Sequence, residues 1–426
     1  ATIHRDGSSV FGDGHQWGYF PSISGAWNIT EEKFMEGLKE SLSLSNLKLR
    51  IGYGVSGNAL GFGAYSAVAT YGANGTIISI GGKDYPTLVS TKLANPDLKW
   101  EKTGMLNIGL YYAFFNGRLN GSIEYYNKVT KDLIWNYPVT SFLYPFSTIS
   151  ANVGEITNRG IEISINAIPV QNKNFTWTTT LNLSHNKNKV NKLTNEKFST
   201  ASFTQGDPMV AGVSAEGYTQ QIMEGEPLGT FFTYEFAGYD EDGTSVYYEH
   251  DAETGARTGT TTKAPKFKDR AVTGCAQPKL NMGWNNTFSY KNWSASFFFT
   301  GVFGNKIYNG LRAHYTAPDF FAGGKNVLKE FITERPATDK SSNVPSDKFI
   351  ENGSYVRLQN LTLGYTFRNL DGWLNSLQLY VTANNLFTIK GLDPEVNLGG
   401  IDPGVDYRWS NYPHTRTIML GAKINF

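Results

Sequence analysis

The sequence predicts an all-β fold: an antiparallel transmembrane β-barrel of about eleven strands with long extracellular loops. Three observations carry that prediction. The first is a period of two in hydrophobicity that recurs along the chain and closes it. Across Thr415 to Phe426, Ile418, Leu420, Ala422, Ile424 and Phe426 share one face, while Thr417, Met419, Gly421, Lys423 and Asn425 share the other. The second is that the connections between such segments alternate between short turns and long loops, the asymmetry of a barrel with compact periplasmic turns. The third is that aromatic residues gather at segment ends, as in Phe114/Phe115, Tyr125/Tyr126, Tyr290/Trp293 and Tyr365/Phe367, where a spanning wall meets the membrane interfaces.

Composition agrees with that class. The 426 residues include 45 glycines and 14% aromatics, and 18% are charged. A mean hydropathy of -0.34 is too polar for a helical membrane protein. No run of about 18 apolar residues occurs, which argues against a transmembrane helix but leaves a barrel open, because barrel strands alternate faces. A net charge of +1 with no basic block argues against nucleic acid as a partner. One cysteine, Cys275, excludes an internal disulfide framework and reads as an ordinary loop residue. The chain opens at Ala1 directly into Gly- and aromatic-rich sequence, as a piece of a longer protein would.

In order, Trp17 to Thr30 reads as the first strand, Glu31 to Glu40 as a short helix in the turn, and Leu47 to Ser56 as the second strand. A long loop, Gly57 to Leu98, precedes a third strand with Leu106, Ile108, Leu110, Tyr112 and Phe114 on one face. Asn116-Gly117 predicts a tight type I′ hairpin, which requires positive φ at both positions. The fourth strand answers with Leu119, Gly121, Ile123 and Tyr125 against Asn120, Ser122 and Glu124. After an aromatic loop from Trp135 to Ser150 come a fifth strand around Ile161 to Ala167, a turn at Asn172-Lys173-Asn174 and a sixth from Phe175 to Leu183. The span 186–277 is predicted to be a folded extracellular insert within a barrel domain covering 1–426. Pro278 to Tyr290 and Trp293 to Gly304 meet at Lys291-Asn292, a helix is expected near Asn326 to Thr333, and the last strands are Ser354 to Phe367, Leu377 to Phe387 and Thr415 to Phe426. Single-chain bacterial barrels have even strand numbers, so a count of about eleven predicts at least one more strand, upstream of Ala1. Residues 1–426 alone are therefore not expected to close.

Several runs recur in a fixed order: Asn95-Pro96-Asp97-Leu98-Lys99-Trp100-Glu101, Asn158-Arg159-Gly160-Ile161-Glu162, Gly304-Asn305-Lys306-Ile307-Tyr308-Asn309, Ser354-Tyr355-Val356-Arg357-Leu358-Gln359-Asn360 and Ala383-Asn384-Asn385-Leu386-Phe387. With Tyr412-Pro413 and Arg416-Thr417, they resemble the C-terminal barrel signatures of the SusC/RagA family of TonB-dependent transporters of Bacteroidetes, over essentially the whole chain. One run departs: Gly274-Cys275-Ala276-Gln277-Pro278-Lys279 stands where the family usually has a GNPNPK-like sequence. The resemblance implies about the last eleven strands of a 22-stranded outer-membrane barrel, with the plug and the TonB-contacting segment outside this sequence. It further implies import of glycans or peptides together with a SusD-like lipoprotein lid.

Most of the motifs read as structural. Asn152, Gly154, Asn158 and Gly160 suit turns and bulges, and Tyr412-Pro413 with Arg416 suits the entry of the last strand. The acidic run Asp240-Glu241-Asp242-Gly243 offers oxygen ligands for Ca²⁺, at Asp240 and Asp242, but its glycine stands at the fourth place where an EF-hand loop wants it at the sixth, so a solvated hairpin is the stronger reading. The six histidines lack metal-ligand spacing, and no nucleophile, zinc-protease or P-loop motif appears, so no enzyme is expected. Substrate contact is then expected from loop aromatics, whose flat faces suit sugar rings or peptide side chains: Trp135, Tyr144, Phe320, Trp409 and Tyr412, with Tyr137, Phe142, Phe146 and Phe321 beside them. The function expected is TonB-dependent nutrient import across the outer membrane. The alternative is a surface adhesin or structural barrel that binds without importing.

Overall fold

The computed structural model describes residues 1–59, 63, 65–139, 146, 148–200, 202–205, 218–334, 343–368, 374–391, 405–406 and 415–426. Twelve strands hydrogen-bond in chain order into one antiparallel sheet. They are β1 (Thr2–Gly7), β2 (Trp17–Asn28), β3 (Leu44–Asn58), β4 (Glu101–Phe114), β5 (Leu119–Pro138) and β6 (Thr148–Gln171). The sheet continues through β7 (Phe175–Lys192), β8 (Leu280–Tyr290), β9 (Trp293–Phe303), β10 (Tyr355–Arg368), β11 (Ser376–Lys390) and β12 (Thr417–Asn425). The count corrects the expected eleven. The additional strand is Thr2–Gly7, where a single apolar residue, Ile3, gives no alternation to read. Among the described residues no ladder joins β1 to β12, and the sheet is an open arc with two free edges.

Register explains why the strands pair as they do. Leu110, Ile123, Ile163, Leu183 and Met282 stand opposite one another across β4 to β8, an unbroken apolar row on the outer face. One residue along, Gly109, Glu124, Glu162, Ser184 and Asn281 form the matching row on the lumenal face. A slip of one residue in any pair would turn its charges to the lipid, so the pattern itself fixes the register. The turns at one end are short. Arg118 donates its N–H to the Phe115 carbonyl at 3.2 Å, with Asn116 and Gly117 at φ 55° and 82°, the positive pair a type I′ turn requires. Tyr290 pairs directly with Trp293 around Lys291 and Asn292.

Several strands outrun the sequence reading. β5 continues through Trp135 to Pro138, β6 begins at Thr148 and β7 ends at Lys192, so the insert expected from 186 starts only after β7. Above the apolar band these strands no longer have one oily and one wet face. The insert packs on the lumenal side there, burying Ile156, Val190, Leu193 and Ile222 together. The insert holds a four-stranded sheet (Ser202–Gln205, Gln220–Met223, Thr230–Tyr234, Arg270–Cys275) and a three-stranded one (Phe236–Tyr239, Ser245–His250, Arg257–Thr262). It shares its core with the loop after β9: Phe231 and Ala276 pack with Tyr308, Ala313 and Phe349. The expected turn helix is two 3-10 turns followed by an α-helix over Glu36–Leu42, and the helix expected at 326–333 spans Lys329–Glu334.

Candidate functional site

The lumenal face of β3 to β5 carries a charged centre. Arg50 on β3 donates through Nη2 to Asn107 Oδ1 and to Glu124 Oε2, both at 3.1 Å. The Tyr111 hydroxyl donates to Glu124 Oε1 at 2.9 Å, and the Arg50 guanidinium lies 5.6 Å from the Tyr111 ring centroid. Strand alternation places all four side chains inside, because Leu49, Ile51, Leu110 and Ile123 take the outer positions. Amide and hydroxyl ladders continue the polar wall. Asn166 donates to Asn120 at 3.2 Å, Asn360 to Asn384 at 2.8 Å, and Thr362 meets Thr382 at 3.0 Å. Glu124, Glu162, Asn182, Asn281, Phe298 and Thr300 line a lumenal groove of about 480 Å³. Such a wall offers donors and acceptors to hydroxyls and amides.

At the extracellular end, the run Asn95 to Glu101 anchors the loop after β3. Leu98 is fully buried, the Trp100 indole donates to the Gln16 carbonyl at 3.1 Å, and Glu101 accepts the Ile134 N–H at 2.8 Å. Beside it opens a cavity of about 660 Å³, lined by Ser66, Lys92, Trp135, Asn136, Phe146 and Thr148 among others. Trp135 is half-buried, with its ring 5.2 Å from that of Phe203. It is the only one of the five predicted binding residues whose side chain is described. Phe320 lies in the helix Pro318–Ala322 with its side chain outside the described residues, as are Tyr144, Trp409 and Tyr412 altogether. Four of the five predicted contacts therefore lie outside the described side chains. Among their neighbours, Phe146 lines the cavity, whereas Tyr137 is a core residue: it is 1% exposed, its hydroxyl donates to the Leu193 carbonyl at 3.0 Å, and burial pushes its phenol up to about 12. Arg50 and Glu124 were not singled out as functional from the sequence, although charges at mid-strand on a lumenal face are a usable signal.

The acidic hairpin is a poor match to Ca²⁺. Lys263 sits on Asp240 and, at 3.5 Å, on Asp242, and Asp240 Oδ1 already accepts the backbone N–H of Asp242 and Thr244 at 3.1 and 2.8 Å. A cation site would have to displace a lysine. Among the described residues no group of three His, Cys, Asp or Glu side chains is placed to hold a metal. Cys275 is half-buried, and burial pushes its thiol up, the behaviour of a packing residue.

The sequence profile of the family described as TonB dependent receptor-like, beta-barrel, matches residues 2–386. This chain belongs to that family. As a TonB-dependent receptor barrel it is an outer-membrane protein, and the short turns of such barrels face the periplasm. TonB-dependent receptor P3 of Formosa agariphila is 32% identical over all of this chain and 43% of that protein. TonB-dependent receptor SusC of Bacteroides thetaiotaomicron is likewise 32% identical, over all of this chain and 42% of SusC. The RagAB peptide importer in its closed-closed state superposes with a TM-score of 0.80 at 25% identity, covering all of this chain and 45% of that one. The chain therefore spans less than half the length of the relatives it matches.

Proposed function

We propose that this receptor barrel forms part of an outer-membrane importer for oligosaccharides or peptides, energised through TonB and working with a SusD-like lipoprotein lid. The observation that carries the reading is the polar lumenal wall. Arg50, Glu124, Glu162 and paired amides line it in place of an apolar core, and a separate cavity lies beside Trp135 towards the long-loop end of the same strands. An adhesin would have no use for a charged lumen beneath its binding loops. Support for the class comes from SusC and from the RagAB peptide importer, each similar over all of this chain. The two free edges of the sheet, in a chain under half the length of its relatives, support its closing with further strands into a larger barrel. No covalent chemistry is required of the barrel: substrate is bound by loops and lid, and released inward when a plug is displaced.

Uptake by a strain carrying the full-length protein tests this, with labelled oligosaccharide and peptide mixtures offered separately, and with and without TonB. Accumulation that depends on TonB is expected in one of the two arms. Accumulation that persists without TonB, or surface binding with no accumulation in either arm, would overturn it.

A further inference from the structure

We propose that the outer wall of β6 and β7, at the extracellular rim of the membrane, binds the phosphate group of a phosphorylated outer-leaflet glycolipid. The argument begins with register. Arg159 on β6 stands directly opposite Lys187 on β7, with Lys189 two residues further up on the same face. That face is the outer one, because the same alternation runs down through Ile161, Ile163 and Leu183 into the apolar row. Arg159, Lys187 and Lys189 are all exposed, and none makes an ion pair among the described residues. Like charges on directly opposed residues of a sheet destabilise the pair. The fold accepts that cost at the height where acyl chains give way to headgroups.

The surroundings extend the positive field. Along the free upper edge of β7 runs a cavity of about 780 Å³, lined by Lys187, Lys189, Lys279 and Lys306, with Glu226 as its one acid. Higher on the outer wall, Lys131 lies 3.9 Å from Glu155, whose other oxygen accepts from Asn191 at 2.9 Å, so that carboxylate is already engaged. The cations thus outnumber the acids that face them. Position decides between the possible anions. An imported anion would meet the lumenal face, which here bears Asn158, Asn186 and Asn188 bonded to one another, whereas the basic residues point to the lipid side of the same strands. Only a molecule lying in the membrane plane reaches both the apolar row and the cations above it. An acyl chain along Ile161 and Leu183 with a phosphate at Arg159 and Lys187 satisfies both.

The test uses full-length receptor in nanodiscs of neutral phospholipid, titrated with monophosphorylated lipid A, with the same lipid dephosphorylated, and with inorganic phosphate. The unmodified receptor is expected to bind the phosphorylated lipid. The triple variant Arg159→Gln, Lys187→Gln, Lys189→Gln should bind it about a hundredfold more weakly, at roughly fivefold per lost cation. A control with three periplasmic-side cations removed, Lys33→Gln, Lys39→Gln, Lys173→Gln, has the same net charge and should bind as the unmodified protein does. Equal binding by the two triple variants, equal affinity for the dephosphorylated lipid, or displacement of the lipid by inorganic phosphate at matching concentration would each overturn the proposal. If the triple variant loses heat-modifiable migration and so does not fold, Arg159→Gln alone decides: about a fivefold loss is expected, and no loss counts against the site.

Discussion

Asn152 closes both backbone groups of Lys99: its Oδ1 accepts the Lys99 N–H at 2.9 Å, and its Nδ2 donates to the Lys99 carbonyl at 2.8 Å. The same Nδ2 reaches the Asp132 carbonyl at 2.8 Å, so one amide ties the loop before β4 to the tips of β5 and β6. Asn152→Ala should cost about 1–3 kcal/mol locally, by leaving partly buried backbone groups unpaired. Asn152→Asp should cost no less, because a carboxylate cannot donate to the two carbonyls. Protease added outside intact cells should then cut within residues 59–100 faster, while the barrel keeps its heat-modifiable migration. An unchanged rate of cleavage would show that the anchor is redundant.

Inside the barrel, Arg50 and Glu124 form a network rather than a pair, since Tyr111 and Asn107 both reach the same carboxylate. Their side chains are 42% and 22% exposed, so water screens the charge and the coupling should be modest. A double-mutant cycle of Arg50→Ala and Glu124→Ala is expected to give about 0.5–1 kcal/mol, read from denaturant midpoints of full-length protein in lipid. Additive effects would mean that Arg50 and Glu124 are placed for a ligand and contribute nothing to each other.

How much of this was legible in the sequence depends on what each face of a strand meets. Ile123, Ile163 and Leu183 face lipid while Glu124, Glu162 and Ser184 face the lumen, so periodicity found β5 to β7 where they cross the membrane. Above the membrane the lumenal face is covered too, by Ile222 against Ile156 and Val190, and alternation fails. A register shift between Thr130 and Leu133, with Asp132 at φ 57°, breaks the parity further. β1 was missed because only Ile3 of its outward residues is apolar, and the next, Arg5, is held by stacking 4.0 Å over the Trp17 ring of the neighbouring strand. Trp135 was recognisable as an aromatic near the extracellular end. Its contact with Phe203 was not, because that partner arrives from the insert.

In the insert, Arg257 grips Glu235 with two bonds of 2.8 Å, and His250 Nε2 lies 2.9 Å from the same carboxylate. The Arg257 guanidinium holds the Glu235 carboxyl below the usual range against the opposing effect of burial, with His250 adding to the lowering. The folded value lies below the unfolded one, so the stabilisation is complete above about pH 4.3 and fades as pH falls through the folded value. Arg257 is half-exposed, which limits the expected size. Glu235→Gln should lower stability by about 1–2 kcal/mol at pH 7, seen as faster proteolysis of the hairpin at 245–262. The difference from the unmodified protein should shrink as pH falls through the lowered folded value. A difference that stays constant with pH would mean the carboxylate's charge is not what Arg257 holds.

Gly160 is a glycine that packing, rather than backbone angle, demands. A Cβ built there would lie 2.3 Å from the His185 carbonyl oxygen and 2.6 Å from the Tyr126 hydroxyl. The tyrosine can move, but the carbonyl belongs to β7 and cannot, so Gly160→Ala must push β6 and β7 apart. Tyr126 makes the constraint tighter: its hydroxyl bonds Asn186 Oδ1 at 3.0 Å, which lays the ring across the glycine. Overpacking of this kind costs about 1–3 kcal/mol, and here it strikes a ladder whose loss would open the wall to lipid. Gly25, on β2, is the matched control, because a Cβ there meets nothing within 4 Å. Gly160→Ala should reduce the folded, heat-modifiable fraction in outer membranes and lower the melting temperature of what remains. Gly25→Ala should match or exceed the unmodified protein, since alanine loses less backbone freedom on folding. Equal behaviour of the two variants would show that β6 and β7 can separate locally at no cost, and that the close approach at Gly160 is incidental to assembly.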